Sequence, residues 1–261
     1  MRGGAQAHLM RCDDDNYYVV KFQNNPQHKR VLVNELLGTR LARRLGLPTT
    51  PLEIVFVSQY LIELTEELRI ETPRERIPCQ PGLQFGSRFP GDPHQLTLHD
   101  FLPDKQLREV ENLSDFAGML VFDNWTCNTN GRQTLFSPQL QDGQEAQTVR
   151  YRAFMIDQGF CFNAGEWNFP DAPLRGLYAR NSVYEKVRGR ESFGIWLERI
   201  EKRMTESVFN ELIREVPPEW YEDDLDPLLR LMEQLHRRRT KVPELLLAAK
   251  NTTRHPFPNW I

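Results

Sequence analysis

Two apolar segments of the chain each contain polar side chains that could bind a metal ion and phosphate. The first, Met119–Phe136, includes the amide-rich sequence Asn128-Thr129-Asn130, and the second, Tyr151–Phe162, has Asp157 directly after a mostly apolar run. We interpret the pattern as strand, polar loop, strand, with the polar groups where the strands end. A carboxylate fixed by a strand and followed two residues later by glycine suits a metal–phosphate site, because glycine lets the backbone approach closely. An ordinary hairpin that turns at Asp157 fits the same spacing.

The N-terminal part of the chain offers a second group of residues suited to phosphate binding. Gly3 and Gly4 are followed by small and amide residues, and the strand predicted over Tyr17–Phe22 carries Lys21. A glycine turn could cover phosphates with backbone N–H groups while the lysine adds a positive charge. Glu35 lies on or beside the apolar face of a helix predicted from Val31, and Lys21 is its nearest cationic partner in sequence. The alternative is a hairpin with a surface lysine and a partly exposed glutamate.

Composition limits the classes of protein to which the chain could belong. Its 261 residues are 39% hydrophobic and 26% charged, as in a folded globular protein of one large domain or two lobes. A formal net charge of −3 without a basic stripe gives no reason to expect direct nucleic-acid binding. The apolar runs are too short for a membrane helix, so we expect no membrane association. Four scattered cysteines favour reduced thiols and a cytoplasmic protein.

The elements that would position these residues fall into two parts. A strand is predicted over Leu52–Ser58, and the segment Thr72–Pro93 is rich in proline and glycine. We therefore expect an N-terminal lobe over residues 1–93 and a mainly helical C-terminal lobe over residues 94–261. A helix is predicted through Asp115–Phe122, and the last third of the chain is predicted to be mostly helical.

The order of these features resembles that of the HipA-like kinases and, more distantly, of type II phosphatidylinositol 4-kinases. The resemblance covers roughly Gly3–Asn181 and is best in VVKF, NELLGTRLARRLGLP, FDNWTCNTNGRQ and MIDQGFCF. It implies an α+β, bilobal protein-kinase-like fold, with a small sheet-containing N-terminal lobe and a mainly helical C-terminal lobe. It also implies ATP and Mg²⁺ as cofactors and a protein as substrate or partner.

The resemblance also implies roles for individual residues. The phosphates would lie under the glycine turn, Lys21 would contact them and pair with Glu35, and Asp157 would bind Mg²⁺. The turn residues to which the resemblance assigns cofactor binding are Gly3, Gly4, Gln6 and Ala7.

One departure from the family pattern affects the expected chemistry. Asn130 stands where these kinases carry the aspartate that accepts the proton of the substrate hydroxyl, and an amide has no titratable lone pair for that task. Asn130 would then only position the acceptor, with Asn128 or Gln133 as additional Mg²⁺ ligands. Asp123 is the nearest carboxylate that could substitute, although a role in bracing the loop is the alternative. Phosphoryl transfer to a protein Ser/Thr hydroxyl, a pseudokinase without transfer activity, and nucleotidyl transfer all remain open.

Overall fold

A four-stranded antiparallel sheet forms the N-terminal part of the protein. The computed structural model describes residues 4–139 and 149–261. The strand order is β1-β2-β6-β3, with bounds β1 His8–Arg11, β2 Tyr17–Lys21, β3 Leu52–Val57 and β6 Gly82–Arg88. Lys21, the last residue of β2, pairs with Phe85 on β6, so the lysine lies at the end of a central strand.

Helix α1, Val31–Leu45, packs beside this sheet and is buried along most of its length. Its sequence, VLVNELLGTRLARRL, has more apolar residues than a one-sided helix needs, which fits an element covered on several sides. Gly46 ends the helix in the left-handed conformation with a φ of 81°, and its N–H donates to the carbonyl of Arg43. The helix predicted from Val31 is confirmed.

Two smaller strand pairs and a short helix complete the β-containing part of the chain. Helix α2 spans Gln59–Leu64 and follows β3 directly. The pairs are both antiparallel: β4 Arg69–Glu71 with β5 Arg76–Pro78, and β7 Thr134–Gln139 with β8 Arg150–Met155. Residues 140–148, on which most of the polar loop predicted between the two apolar segments falls, lie outside the described part of the chain.

The C-terminal part is mainly helical, as predicted. Its helices are α3 Asp104–Leu107, α4 Asp115–Thr126, α5 Gly194–Arg203, α6 Glu206–Glu215, α7 Leu225–Arg238 and α8 Val242–Lys250. The small antiparallel sheet and this helical part confirm the expected α+β class. No helix in the described ranges is both long and apolar enough to span a lipid bilayer.

The interpretation of the first apolar segment as a strand is wrong. Met119–Thr126 belongs to helix α4, and the strand of this segment begins only at Thr134. Every residue of α4 from Phe116 to Thr126 is buried, so the helix shows no amphipathic period that would separate it from a buried strand. The shorter prediction of a helix through Asp115–Phe122 is the correct one.

The buried apolar residues form two clusters, and one of them extends over a much larger part of the chain than the other. The smaller one is confined to the N-terminal part and includes Val20, Phe22 and Ile70. The larger one joins α1, Leu52 and Phe85 to the C-terminal helices. The clusters therefore do not follow the predicted lobe boundary at residue 93, and the division into residues 1–93 and 94–261 stays a prediction.

Side chains from the C-terminal helices also contact the outer surface and the end of α1. Glu215 pairs with Arg40 at 2.8 Å, and Arg199 donates to the carbonyl of Leu45 at 3.0 Å. Asp224, which precedes α7, pairs with Arg30 at 2.7 Å just before α1 begins. Helix α1 is thus held at both ends by residues of the C-terminal part.

We predict that Gly118→Ala destabilises the protein by about 1–3 kcal/mol, because it would overpack the contact between α4 and α5. A Cβ atom at Gly118 would lie 2.4 Å from Cε2 of Trp196. The measurement is the free energy of unfolding in denaturant. Gly194→Ala is the matched control: nothing lies within 4 Å of a Cβ at Gly194, so its effect should stay below about 1 kcal/mol. Equal stability of the two variants would contradict this packing account.

Candidate active site

Lys21 connects two carboxylates at the junction of the sheet, α1 and the segment after β8. The residue is buried, at 8% exposure, and its neighbours Val20 and Phe22 point into the smaller hydrophobic cluster. Its Nζ donates to Glu35 Oε1 and to Asp157 Oδ1, the latter at 2.7 Å. Burial alone would lower the pKa of Lys21, but the two carboxylates raise it overall, so the ammonium is charged at neutral pH.

Glu35 joins α1 to the segment that contains Asp157. Its Oε2 accepts from the N–H of Gln158 and its Oε1 from the N–H of Gly159, both at 2.9 Å. Burial raises the pKa of Glu35, and the Lys21 ammonium opposes that shift. The neighbouring Asp157 carboxylate also raises the pKa of Glu35, whereas the ammonium and the two backbone N–H groups favour its ionised form. The predicted Lys21–Glu35 pair is therefore present in the structure, together with two backbone contacts that the sequence did not suggest.

Asp157 follows β8 by two residues and adopts a positive φ of 58°. Burial alone would raise the pKa of Asp157, but the charge and hydrogen bond of Lys21 lower it, so the group is ionised at neutral pH. Gly159 lets α1 approach this segment: a Cβ there would lie 2.7 Å from Val31 Cγ2 and 3.1 Å from Glu35 Oε1. The expectation that glycine permits close approach at this position thus fits, although the closely packed partner is α1.

Asn34, next to Glu35 on α1, fixes the segment that follows Asp157. The side chain is fully buried, and its Nδ2 lies 2.9 Å from the carbonyl oxygens of Gly159 and Cys161. His28 also hydrogen-bonds the Gly159 carbonyl, at 2.9 Å. Sequence reasoning missed Asn34, although two adjacent polar residues within VLVNELL could have indicated that this helix face meets polar backbone.

The glycine turn lines a pocket that is also lined by Lys21, Glu35 and Asp157. The side chain of Gln6 in this turn has hydrogen-bond partners within the protein. Gly4, Gln6 and Ala7 line the pocket, whereas Gly3 lies outside the described residues. The amide of Gln6 bonds both the N–H and the carbonyl of Glu71, so its side chain is committed to holding the turn. Asn25 donates to the carbonyl of Ala5 at 2.9 Å. What the turn presents to the pocket is therefore backbone.

The 127–133 loop connects α4 to β7 and brings Asn130 and Gln133 to the pocket. The side chain of Asn128 turns inward: its Nδ2 donates to Asp123 at 2.9 Å, and its oxygen accepts from the N–H of Asn130 at 3.1 Å. Asn128 does not line the pocket. The predicted metal-binding role of Asn128 remains untested, but its position favours a role in shaping the loop.

Asp123 is fully buried at 0% exposure and forms an ion pair with Arg132. The Nε of Arg132 donates to its Oδ2 at 2.8 Å, and Nη1 of the same guanidinium donates to the carbonyl of Ile156 at 2.9 Å. This pair links α4, the 127–133 loop and the segment after β8. Asp123 does not line the pocket, so its position favours the bracing role, and its catalytic role stays an untested prediction. Arg132 could not be identified as the partner of Asp123 from residue types and spacing alone.

The pocket between the sheet and the C-terminal part encloses about 450 Å³. Its charged lining residues are Lys21, Glu35, Arg88 and Asp157, and its other walls are mostly apolar. The described residues hold no cluster of three or more His, Cys, Asp or Glu side chains that could bind a metal by themselves. A cation in this pocket would therefore need further ligands from a bound anion or from water.

A search of solved structures supports a kinase-like fold. The chain resembles the crystal structure of the Golgi casein kinase, with a TM-score of 0.52 and 14% sequence identity, over 100% of this chain and 74% of that chain. At this identity the likeness concerns the fold alone. The fold is therefore that of a kinase-like protein, and the Lys21–Glu35 pair and Asp157 lie along it in the order expected from the sequence.

The family follows from the sequence comparison. The model of the HipA-like kinase family matches residues 1–159, which is more than half of the chain and includes every pocket-lining residue named above. The protein belongs to the HipA-like kinase family. Among curated proteins no significant match is found.

We predict that Asp123→Asn destabilises the protein by about 3–5 kcal/mol, because it leaves the Arg132 guanidinium buried without its counter-charge. Denaturant unfolding monitored by circular dichroism measures the change. Asp104→Asn is the matched control, since its pair with Arg180 is exposed and should contribute less than about 1 kcal/mol. A loss below about 1 kcal/mol in Asp123→Asn would show that the pair does not brace the loop.

Proposed function

We propose that this HipA-like kinase binds ATP with Mg²⁺ in the pocket and transfers phosphate to a Ser/Thr hydroxyl of a protein. The observation that carries the proposal is the bridge made by Lys21 between Glu35 and Asp157 at the pocket wall. It fixes a charged ammonium for phosphate and an ionised carboxylate for a cation side by side. The cytoplasmic location predicted from the sequence belongs to the same proposal.

The phosphates would be bound between Lys21 and the glycine turn. Lys21 would supply a full positive charge. The turn over Gly4–Ala7 would supply backbone groups, because the side chain of Gln6 is already hydrogen-bonded to Glu71. Backbone N–H groups of a glycine turn can cradle a phosphate, and Gly4–Ala7 line the pocket, so we assign the phosphates to this turn. This division of roles suits a triphosphate better than a neutral ligand.

The donor set near Asp157 fits Mg²⁺ when phosphate is also bound. Asp157 offers an ionised carboxylate and Gln133 an amide oxygen, and both line the pocket. Mg²⁺ prefers hard oxygen ligands and is commonly held by one or two carboxylates with substrate phosphates and waters completing the shell. When bound, the ion would neutralise charge on the transferring phosphate. Asp157 and Gln133 are therefore the residues that we assign to it.

Because Asn130 is an amide, the rate of phosphoryl transfer depends on whether another group of the pocket can act as the general base. The carboxylates of the pocket are Glu35, which is bonded to Lys21 and two backbone N–H groups, and Asp157, which is assigned to the cation. No described carboxylate of the pocket is left as a general base for the acceptor hydroxyl. Positioning and electrostatic stabilisation carry most of phosphoryl transfer, so slow transfer remains compatible with this site. The same observation favours a nucleotide-binding pseudokinase as the second candidate.

We predict that Lys21→Met raises the Kd for ATP in the presence of Mg²⁺ by about 10- to 100-fold, because a charged hydrogen bond to the phosphates is lost. Isothermal titration calorimetry gives the affinity. Lys29→Met is the matched control: this lysine is 76% exposed and pairs with Asp224 away from the pocket, so its removal should leave the Kd unchanged. Unchanged affinity in Lys21→Met would argue against the phosphate site.

We predict that Asn130→Asp increases phosphoryl transfer by about 10²- to 10⁴-fold, because it restores a general base beside the acceptor. The readout is ADP release from ATP with Mg²⁺ and a mixture of Ser- and Thr-containing peptides. Asn130→Ser removes the amide without adding a base and is the control. A gain only in the aspartate variant supports a kinase with a weakened site. Loss of a measurable basal activity in Asn130→Asp would instead point to a different chemistry, such as nucleotidyl transfer.

A further inference from the structure

The 88–91 segment, which follows β6 along the rim of the pocket, has already used its backbone N–H groups. The N–H of Arg88 donates to the carbonyl of Pro51 at 2.8 Å, that of Phe89 to Tyr17 at 2.7 Å, and that of Gly91 to Phe89 at 2.9 Å. Pro90 has no N–H. The segment can thus offer carbonyl oxygens to a ligand in the pocket, but no backbone donor.

Beside this segment, two hydroxyl groups line the pocket and bond each other. Thr50 Oγ1 and Ser87 Oγ are 2.7 Å apart, and Ser87 immediately precedes Arg88. Each hydroxyl has one hydrogen, and the mutual bond uses only one of the two. The pair therefore keeps one O–H donor and spare lone pairs in a part of the pocket where the backbone supplies no donor.

The walls around this hydroxyl pair suit a flat aromatic ring. Val19 and Phe85 from the sheet and Leu135 and Met155 from the β7–β8 pair line the same pocket. Apolar side chains contributed by both the sheet and the β7–β8 pair favour a planar heterocycle, whose faces are apolar and whose edges need hydrogen bonds. The charged residues Lys21 and Asp157 line the pocket as well, so a nucleotide could place its phosphates on them and its base here.

We propose that the Thr50–Ser87 hydroxyl pair binds the nucleobase and that the site accepts adenine and guanine nucleotides with similar affinity. This inference rests on the proposed function. A fixed backbone N–H beside a fixed carbonyl would favour one base edge over another, but the 88–91 segment has no such N–H left. A hydroxyl rotates to suit its partner, so it can donate to N1 of adenine or to O6 of guanine. Carbonyl oxygens can accept from the amino or imino groups of either base.

The test compares four ligands by calorimetry on the full chain, each with Mg²⁺: ATP, GTP, CTP and inorganic tripolyphosphate. We expect the Kd values for ATP and GTP to agree within about tenfold, because they differ by no more than one neutral hydrogen bond. CTP should bind more weakly, since a pyrimidine covers less of the apolar walls. Tripolyphosphate measures the phosphate contacts without a base.

Two variants remove the hydroxyls one at a time. Thr50→Val and Ser87→Ala should each raise the Kd for ATP and GTP by about 2- to 10-fold and leave that for tripolyphosphate unchanged. Unchanged tripolyphosphate binding also shows that the variants are folded. Thr49→Val is the matched control, because the Thr49 hydroxyl is buried without a hydrogen-bond partner and the residue does not line the pocket. It should leave all four affinities unchanged.

Two results would overturn the inference while leaving the proposed function intact. One is a preference for ATP over GTP above about 100-fold that persists in both hydroxyl variants, which would require a different group to select the base. The other is nucleotide binding that neither Thr50→Val nor Ser87→Ala weakens. If none of the four ligands binds the unmodified protein, the proposed function itself falls, and this inference falls with it.

Discussion

The buried contact of one ammonium with two carboxylates is the interaction on which the rest of the site depends. Lys21 comes from the sheet, Glu35 from α1 and Asp157 from the segment after β8, so the contact joins three separate parts of the chain. Charges removed from water are costly unless each has its partners, and removal of one partner from such a pair commonly costs about 3–5 kcal/mol. Here the backbone N–H groups of Gln158 and Gly159 complete the set. The geometry that would bind phosphate and a cation is thus also a junction that holds the two parts of the molecule together.

The position of α1 follows from contacts on both of its sides. Glu35 and Asn34 bind the segment after Asp157, while Glu215 and Arg199 contact its opposite surface and its C-terminal end. The residues that make these outer contacts lie beyond position 159, where the match to the family model ends. The C-terminal helices of this protein therefore support the residue that orients Lys21, although they contribute little to the pocket itself.

Residue type and order along the chain were sufficient to suggest some of the residues that line the pocket, but not the contacts that depend on the tertiary fold. Lys21, Glu35 and Asp157 could be found because a strand lysine, a helix glutamate and a strand-end aspartate occur in the order of a kinase-like fold. Part of helix α4 resembles a strand in sequence, because its buried residues show no helical period. The Asp123–Arg132 pair and the Thr50–Ser87 pair could not be found, because each joins elements whose proximity depends on the tertiary fold. Gln6 shows a third case, in which a residue at the expected place uses its side chain for structure and not for a ligand.

Asp157 is the residue through which we propose that nucleotide binding depends on a cation. The most direct measurement is calorimetric titration of ATP, with and without Mg²⁺, on the unmodified protein and on Asp157→Ala. The account predicts that Mg²⁺ strengthens ATP binding to the unmodified protein and that this effect disappears in the variant. ATP binding that is equally strong with and without Mg²⁺, or no binding of ATP to the unmodified protein, would contradict it and leave the kinase-like fold without a nucleotide site.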